Sequence, residues 1–281
     1  MRLEGRAEST NVEDRRGKRG RGRRSGIGLG GVILVLVLSY FTGQDPRAFL
    51  QLLGAGQQTS PQQETTVTSD AFPDKTRRFV NVVLKDTEQT WKSIFADMNQ
   101  AYQEPPLVLF TDAVRSGCGT ASAAMGPFYC PADGTVYLDP VFFDQLSSRF
   151  GAPGDFAQTY VIAHEIGHHI QNLLGVSDQV AAAQQRGTEL QSNALSVRLE
   201  LQADCFAGVW GNRANRDRQI IEPGDFEEGM RAAASIGDDS IQEMSQGSIH
   251  PESWTHGSGE QRQFWLRRGL QAGDPNRCDT F

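Results

Sequence analysis

The string VIAHEIGHHI at residues 161–170 constrains this chain more than any other feature, because it holds three of the five histidines in the spacing His164-Glu165-x-x-His168. Residues four apart on an α-helix differ by about 40° in rotation and about 6 Å in height, so both imidazoles face one way if the segment is helical. YVIA before the motif and LLG after it place that helix in an interior, where two imidazoles and a carboxylate need partners. A divalent metal is the partner this spacing suits, with one ring nitrogen taken from each histidine. Glu165 is turned about 100° from His164 and can act as a base toward water at an open metal position.

A third protein ligand is then required, leaving the fourth position for water. The extended form of the motif would place Gly and His where this chain has Gln171 and Leu174, so the ligand comes from elsewhere. His169 points about 100° away from His168 and is expected to be structural. The segment SVRLELQADCFAG supplies Glu200, with Asp204 four residues on along the same helical face. Glu200 would complete the site, and Asp204 would hydrogen-bond the far nitrogen of a ligand histidine. Glu189 is the rival ligand, but it sits near the helix start without a following Ala-Asp. THGSGEQR offers His256 as a donor to a developing oxyanion, and Arg262, six residues later, as an orienting group. His250 precedes a proline and is expected to be structural or exposed. One Zn2+ per chain is the expected cofactor, held by His164, His168 and Glu200.

The net charge of −7 conceals an asymmetry: residues 1–25 carry nine Arg/Lys against four acids, and the remainder is acidic. The basic stretch runs into IGLGGVILVLVLSYFTG, about 17 residues without charge, near the lower limit for crossing a hydrocarbon core of roughly 30 Å. SYFTGQDP offers no small-x-small cleavage site, so an uncleaved signal anchor is expected. By the positive-inside rule, residues 1–25 form a basic cytoplasmic tail, 26–43 a transmembrane signal anchor, and the rest lies outside the cytoplasm as a single-pass membrane protein. No nucleic-acid partner is expected, since the basic cluster abuts the apolar run. Cys118, Cys130, Cys205 and Cys278 all follow the anchor, and four cysteines in such a setting suggest two disulfides with three possible pairings. The short separation favours Cys118–Cys130, leaving Cys205–Cys278.

Residues 44–73 read as a polar linker, and a domain follows over 74–281. An amphipathic helix is expected from Asp74, short strands at PPLVLFTD and GTVYLDP, the motif helix with Asp155 as cap and Gly175 as stop, and a polar, flexible segment to about residue 187. A long helix over TELQSNALSVRLELQADCFAGVWGNRA and two shorter ones complete an α+β fold, mostly helical with a small sheet. GTVYLD could pair with an extended peptide by strand addition.

The opening MRLEGR and STNVEDRRG, the apolar segment, CGTASAAMGPFYCP, YLDPVFF, HEIGHHIQ, ELQADCFAGVW, THGSGEQR and the terminal CDTF together resemble the bacterial "putative neutral zinc metallopeptidase" family over nearly the whole chain. The metal motif is similar to that of the membrane gluzincins, including the CAAX prenyl endopeptidases, whose zinc ligands correspond to His164, His168 and Glu200. In those relatives a His followed six residues later by Arg helps the active site, which is what the resemblance implies for His256 and Arg262. It implies a zincin-like metallopeptidase domain, preceded by one transmembrane helix, that hydrolyses peptide or protein substrates outside the cytoplasm. A single apolar segment builds no multi-pass chamber, so CAAX processing is not implied. The alternative is a catalytically weak, zinc-stabilised binding or scaffold protein of the cell envelope, against which the intact Glu165 speaks.

Overall fold

Val80, Val83, Leu84, Trp91, Ile94 and Phe95 recur at three- and four-residue intervals, and all are buried along one face of helix α1 (Asp74–Asp97). The computed structural model describes residues 1–17 and 74–281. The α1 face packs on a sheet of order β1 (Val12–Asp14), β2 (Leu107–Leu109), β6 (Thr135–Leu138), β5 (Phe128–Cys130). The first three strands are parallel, with Val12 opposite Leu107 and Leu107 opposite Val136, and β5 is antiparallel to β6. The expected strands PPLVLFTD and GTVYLDP are β2 and β6. Between them lie a separate hairpin, β3 (Ala113–Ser116) and β4 (Gly119–Ser122), and the disulfide Cys118–Cys130 that ties this hairpin to β5.

Strand β1 overturns the expected membrane topology. Residues 1–16 belong to the same compact unit as the bulk of the chain, so they are no separate cytoplasmic tail. A chain crossing a bilayer once between Asp14 and Leu107 would put two hydrogen-bonded strands of one sheet on opposite faces of the membrane. No helix among the described residues is long and apolar enough to cross a membrane. The expected anchor at 26–43 and the linker at 44–73 lie outside the described residues.

The helices that follow are α2 (Val141–Ser148), α3 (Asp155–Leu173), α4 (Val176–Gln184), α5 (Glu189–Arg218), α6 (Asp225–Ser235), α7 (Asp238–Gln246) and α8 (Gly259–Ala272). The fold is mixed α+β and mostly helical. Helix α4 replaces the expected flexible segment: VSDQVAAAQ is rich in the helix former Ala, and only Val180 of it is buried. Helix α3 carries the histidine motif and is buried on both sides. Ile162, Ile166 and Ile170 meet the sheet core, whereas Phe156, Tyr160 and Ala163 meet α5, α6 and α8. The isoleucines are two residues from His164 and His168, so the imidazoles point about 200° round the helix, away from the sheet.

Two close approaches set the site. A Cβ on Gly167 would lie 2.8 Å from the Ala203 carbonyl oxygen, so α3 and α5 touch backbone to backbone between the two histidines and between Glu200 and Asp204. A Cβ on Gly208 would lie 2.2 Å from the Leu266 oxygen, and one on Gly269 2.0 Å from the Cys205 oxygen, which clamps α8 onto α5. A second disulfide, Cys205–Cys278, fastens the C-terminal segment to α5 one residue after Asp204.

Candidate metal centre

The N-terminus of α3 is not capped by Asp155 as expected. Gly154 is its N-cap, and Glu228 of α6 accepts the Phe156 N–H at 3.1 Å, with its carboxylate lying where a Cβ on Gly154 would stand. Asp155 instead accepts from the Met1 amino group at 2.8 Å. Gly175 does end the helix, in the left-handed region at φ 73°.

His164, His168 and Glu200 converge. His164 Nε2 lies 3.2 Å from His168 Nε2 and 3.1 Å from Glu200 Oε2, and His168 Nε2 lies 3.3 Å from Glu200 Oε1. A tetrahedral ion held at about 2.0–2.1 Å separates its donors by about 3.3 Å, close to each of these separations, the two Glu200 oxygens facing one imidazole each. The far ring nitrogens are both engaged, His164 Nδ1 with Asp204 Oδ1 at 2.8 Å and His168 Nδ1 with Gln171 Oε1 at 2.8 Å. Each far oxygen accepts, so each Nδ1 donates, and both Nε2 lone pairs are left facing each other beside a carboxylate. Three acceptors converging without a donor call for a cation. Without a metal, a proton serves: burial opposes the charge on His164, but Asp204 and Glu200 outweigh it and push the ring up to about 10. His168 is raised too, its burial outweighed by Glu200, and Glu200 is held well below the usual range by the two histidines despite its burial. No thiol competes for the metal, because all four cysteines are in disulfides.

Asp204 is fully buried and gathers donors from three residues, His164, Arg262 and Tyr160. Arg262, 3 % exposed, grips it in bidentate fashion, Nε to Oδ2 at 2.9 Å and Nη2 to Oδ1 at 3.0 Å, and the Tyr160 hydroxyl donates to Oδ1 at 2.5 Å. Arg262 also donates to the Tyr160 oxygen at 3.1 Å and to the Ile236 carbonyl at 3.3 Å. Although burial would raise it, the Asp204 carboxyl is held low by Arg262 and His164.

The remaining expected residues separate clearly. Glu165 is 8 % exposed and lies within electrostatic range of His168. His169 points away, with Nδ1 at 3.1 Å from the Tyr129 hydroxyl and Nε2 at 2.7 Å from the Gln103 carbonyl, and burial lowers its pKa. Glu189 is exposed in the first turn of α5, three turns before Glu200, and His250 is exposed beside Glu252. His256 is half-exposed and makes no hydrogen bond to the donor triangle. Its loop packs on the α5 face that carries Glu200, since a Cβ on Gly257 would meet Val197 at 3.2 Å and Leu201 at 3.4 Å. Asp238 fixes that loop by accepting the Thr255, His256 and Gly257 N–H groups at 2.6–2.9 Å, and its other oxygen lies 3.3 Å from His256 Nδ1. This contact raises the His256 pKa, and Glu200 adds to the effect.

Sequence reasoning missed Tyr160, Gln171, Gln202 and Asp238. Helical spacing could have found the first two, four residues before His164 and three after His168. Nothing local marks Asp238, 18 residues from His256. The strand GTVYLD (β6) has β2 on one side and β5 on the other, so it has no free edge for a peptide.

The chain is similar to an uncharacterized protein of Escherichia coli (strain K12), YpfJ, at 49% identity over 290 residues, covering 100% of this chain and 99% of that one. It is similar also to the uncharacterized proteins Mb2605 of Mycobacterium bovis and Rv2575 of Mycobacterium tuberculosis, each at 44% identity over 214 residues, 73% of this chain and 71% of theirs. No solved structure matches it. The profile of the family described as "Putative neutral zinc metallopeptidase" matches residues 1–281, and with a triangle of two imidazoles and a carboxylate at its centre, the chain belongs to that family.

Proposed function

We propose that the chain is a zinc-dependent endopeptidase whose metal ligands are His164, His168 and Glu200. The observation that carries this reading is the convergence of their donor atoms at separations of 3.1–3.3 Å, with Glu165 within electrostatic range of His168. Zinc, when bound, supplies a Lewis acid that lowers the pKa of water and polarises a carbonyl. Glu165 takes the proton of the attacking water and passes it to the leaving amine, so one carboxylate serves as base and then as acid. His256, held by Asp238 over the Glu200 face, donates to the oxygen on which negative charge develops. Asp204 keeps His164 turned with Nε2 toward the site, and Arg262 keeps Asp204 in place without touching the substrate. An extended peptide would pair with β5, the terminal strand of the sheet among the described residues, whose Tyr129 hydroxyl accepts from Asn172 of α3 at 3.0 Å.

The deciding experiment is Glu165→Gln, with zinc content by mass spectrometry and cleavage of a denatured protein substrate measured in parallel. Zinc is expected to stay and cleavage to fall by several orders of magnitude. Undiminished cleavage by the variant would sink the mechanism. A wild type that binds zinc and cleaves nothing would make the chain a zinc-stabilised binding protein.

A further inference from the structure

His168 is supported by a line of neutral groups, in contrast to the ion pair behind His164. Its Nδ1 is 2.8 Å from Gln171 Oε1. The Gln171 amide nitrogen donates to the Leu199 carbonyl at 2.6 Å and to Gln202 Oε1 at 3.2 Å. The Gln202 amide nitrogen donates in turn to the Cys278 carbonyl at 3.0 Å. Gln171 is 0 % and Gln202 7 % exposed, so water does not compete for these groups. Neither glutamine has a role in the reaction described above.

A glutamine amide can ordinarily turn over and exchange donor for acceptor. Here it cannot, because the line ends on two backbone carbonyls, which only accept. Cys278 requires the nitrogen end of Gln202, so Gln202 offers its oxygen to Gln171. Leu199 and that oxygen both require the nitrogen end of Gln171, so Gln171 offers its oxygen to His168. The histidine must then carry hydrogen on Nδ1. We propose that Gln171 and Gln202 are positioning residues that fix the tautomer of His168, leaving its Nε2 lone pair for the metal. The disulfide Cys205–Cys278 holds the far terminus of this relay, and Cys205 directly follows Asp204, so one covalent link steadies the supports of both histidines. The proposal rests on His168 being a zinc ligand.

The test uses the full chain with Gln171→Met and Gln202→Met, which keep length and remove the amide. Zinc affinity by chelator competition and the visible absorption of the cobalt-substituted protein are read with thermal unfolding as a control for folding. Gln171→Met should lose about 10–100-fold in zinc affinity and shift the cobalt spectrum. Gln202→Met should lose less, because Leu199 still orients Gln171. Nitrogen-15 NMR of wild type should show a slowly exchanging His168 Nδ1–H that Gln171→Met loses and His164 keeps. Wild-type affinity and an unchanged spectrum in folded Gln171→Met, or a larger loss in Gln202→Met, would overturn the relay. If Gln171→Met does not fold, the wild-type NMR decides: absence of a protected Nδ1–H on His168 overturns the proposal. A protected Nδ1–H in a wild type that binds no zinc would remove the metal reading and leave the relay standing.

Discussion

The two imidazoles at the centre stand one helical turn apart and face the same point, yet they are held by opposite means. Behind His164 lies a buried carboxylate that answers to Arg262 and Tyr160. Behind His168 lies a pair of amides that end on backbone carbonyls. The charged support binds strongly, and removing one member strands another charge in the interior. The neutral support is weaker per bond but has only one consistent direction. A metal ligand thus needs its far nitrogen satisfied, and the fold meets that need from whatever the packed helix presents.

The contrast predicts a ranked set of failures. Asp204→Ala should be the most damaging, since it leaves the Arg262 guanidinium buried and unpaired. Denaturant unfolding of the zinc-free protein should show a loss of about 3–5 kcal/mol. A loss no greater than that of Gln171→Met would erase the distinction between the two supports. Next comes pH. The folded chain holds His164 at about 10 against an ordinary value of 6.5, so its stabilisation is complete below pH 6.5 and drains away as pH rises toward 10. The zinc-free protein should therefore lose thermal stability across that window. Asp204→Asn should flatten the decline, and Gln171→Met should leave it in place. Gly167→Ala tests what both supports share, the contact of α3 with α5. A methyl 2.8 Å from the Ala203 oxygen should cost about 1–3 kcal/mol and weaken zinc binding, measured by unfolding and chelator competition. Tyr160→Phe removes the hydroxyl donor to Asp204 and should cost about 1 kcal/mol with zinc retained, because Arg262 and His164 still hold the carboxylate.

Much of this centre can be read in the one-dimensional chain because its geometry is local. His164 and His168 share a helix, as do Glu200 and Asp204, and helical spacing alone puts each pair on one face. Gly167 and Ala203, the small residues inside these motifs, let the two faces meet. The partners that arrive through tertiary packing leave no such trace. Gln202 reaches the Cys278 carbonyl across 76 residues, and Asp238 holds His256 from a helix that composition does not single out. Local signals also misled at the N-terminus. VED is too short to show a strand period, and the arginines after it fit the positive-inside rule, so the pairing of Val12 with Leu107 stayed invisible.

That pairing bears on how the chain is made. Val12 is synthesised 95 residues before its partner Leu107, and at about 5–20 residues per second the strand waits about 5–20 s for a sheet to join. An apolar strand left open that long would invite pairing with other chains. Val12–Asp14 carries two acids and is followed directly by Arg15 and Arg16, charges of the kind that disfavour such pairing. The charges that resembled a topology signal suit a strand that must remain unpaired until the rest of its sheet has been translated.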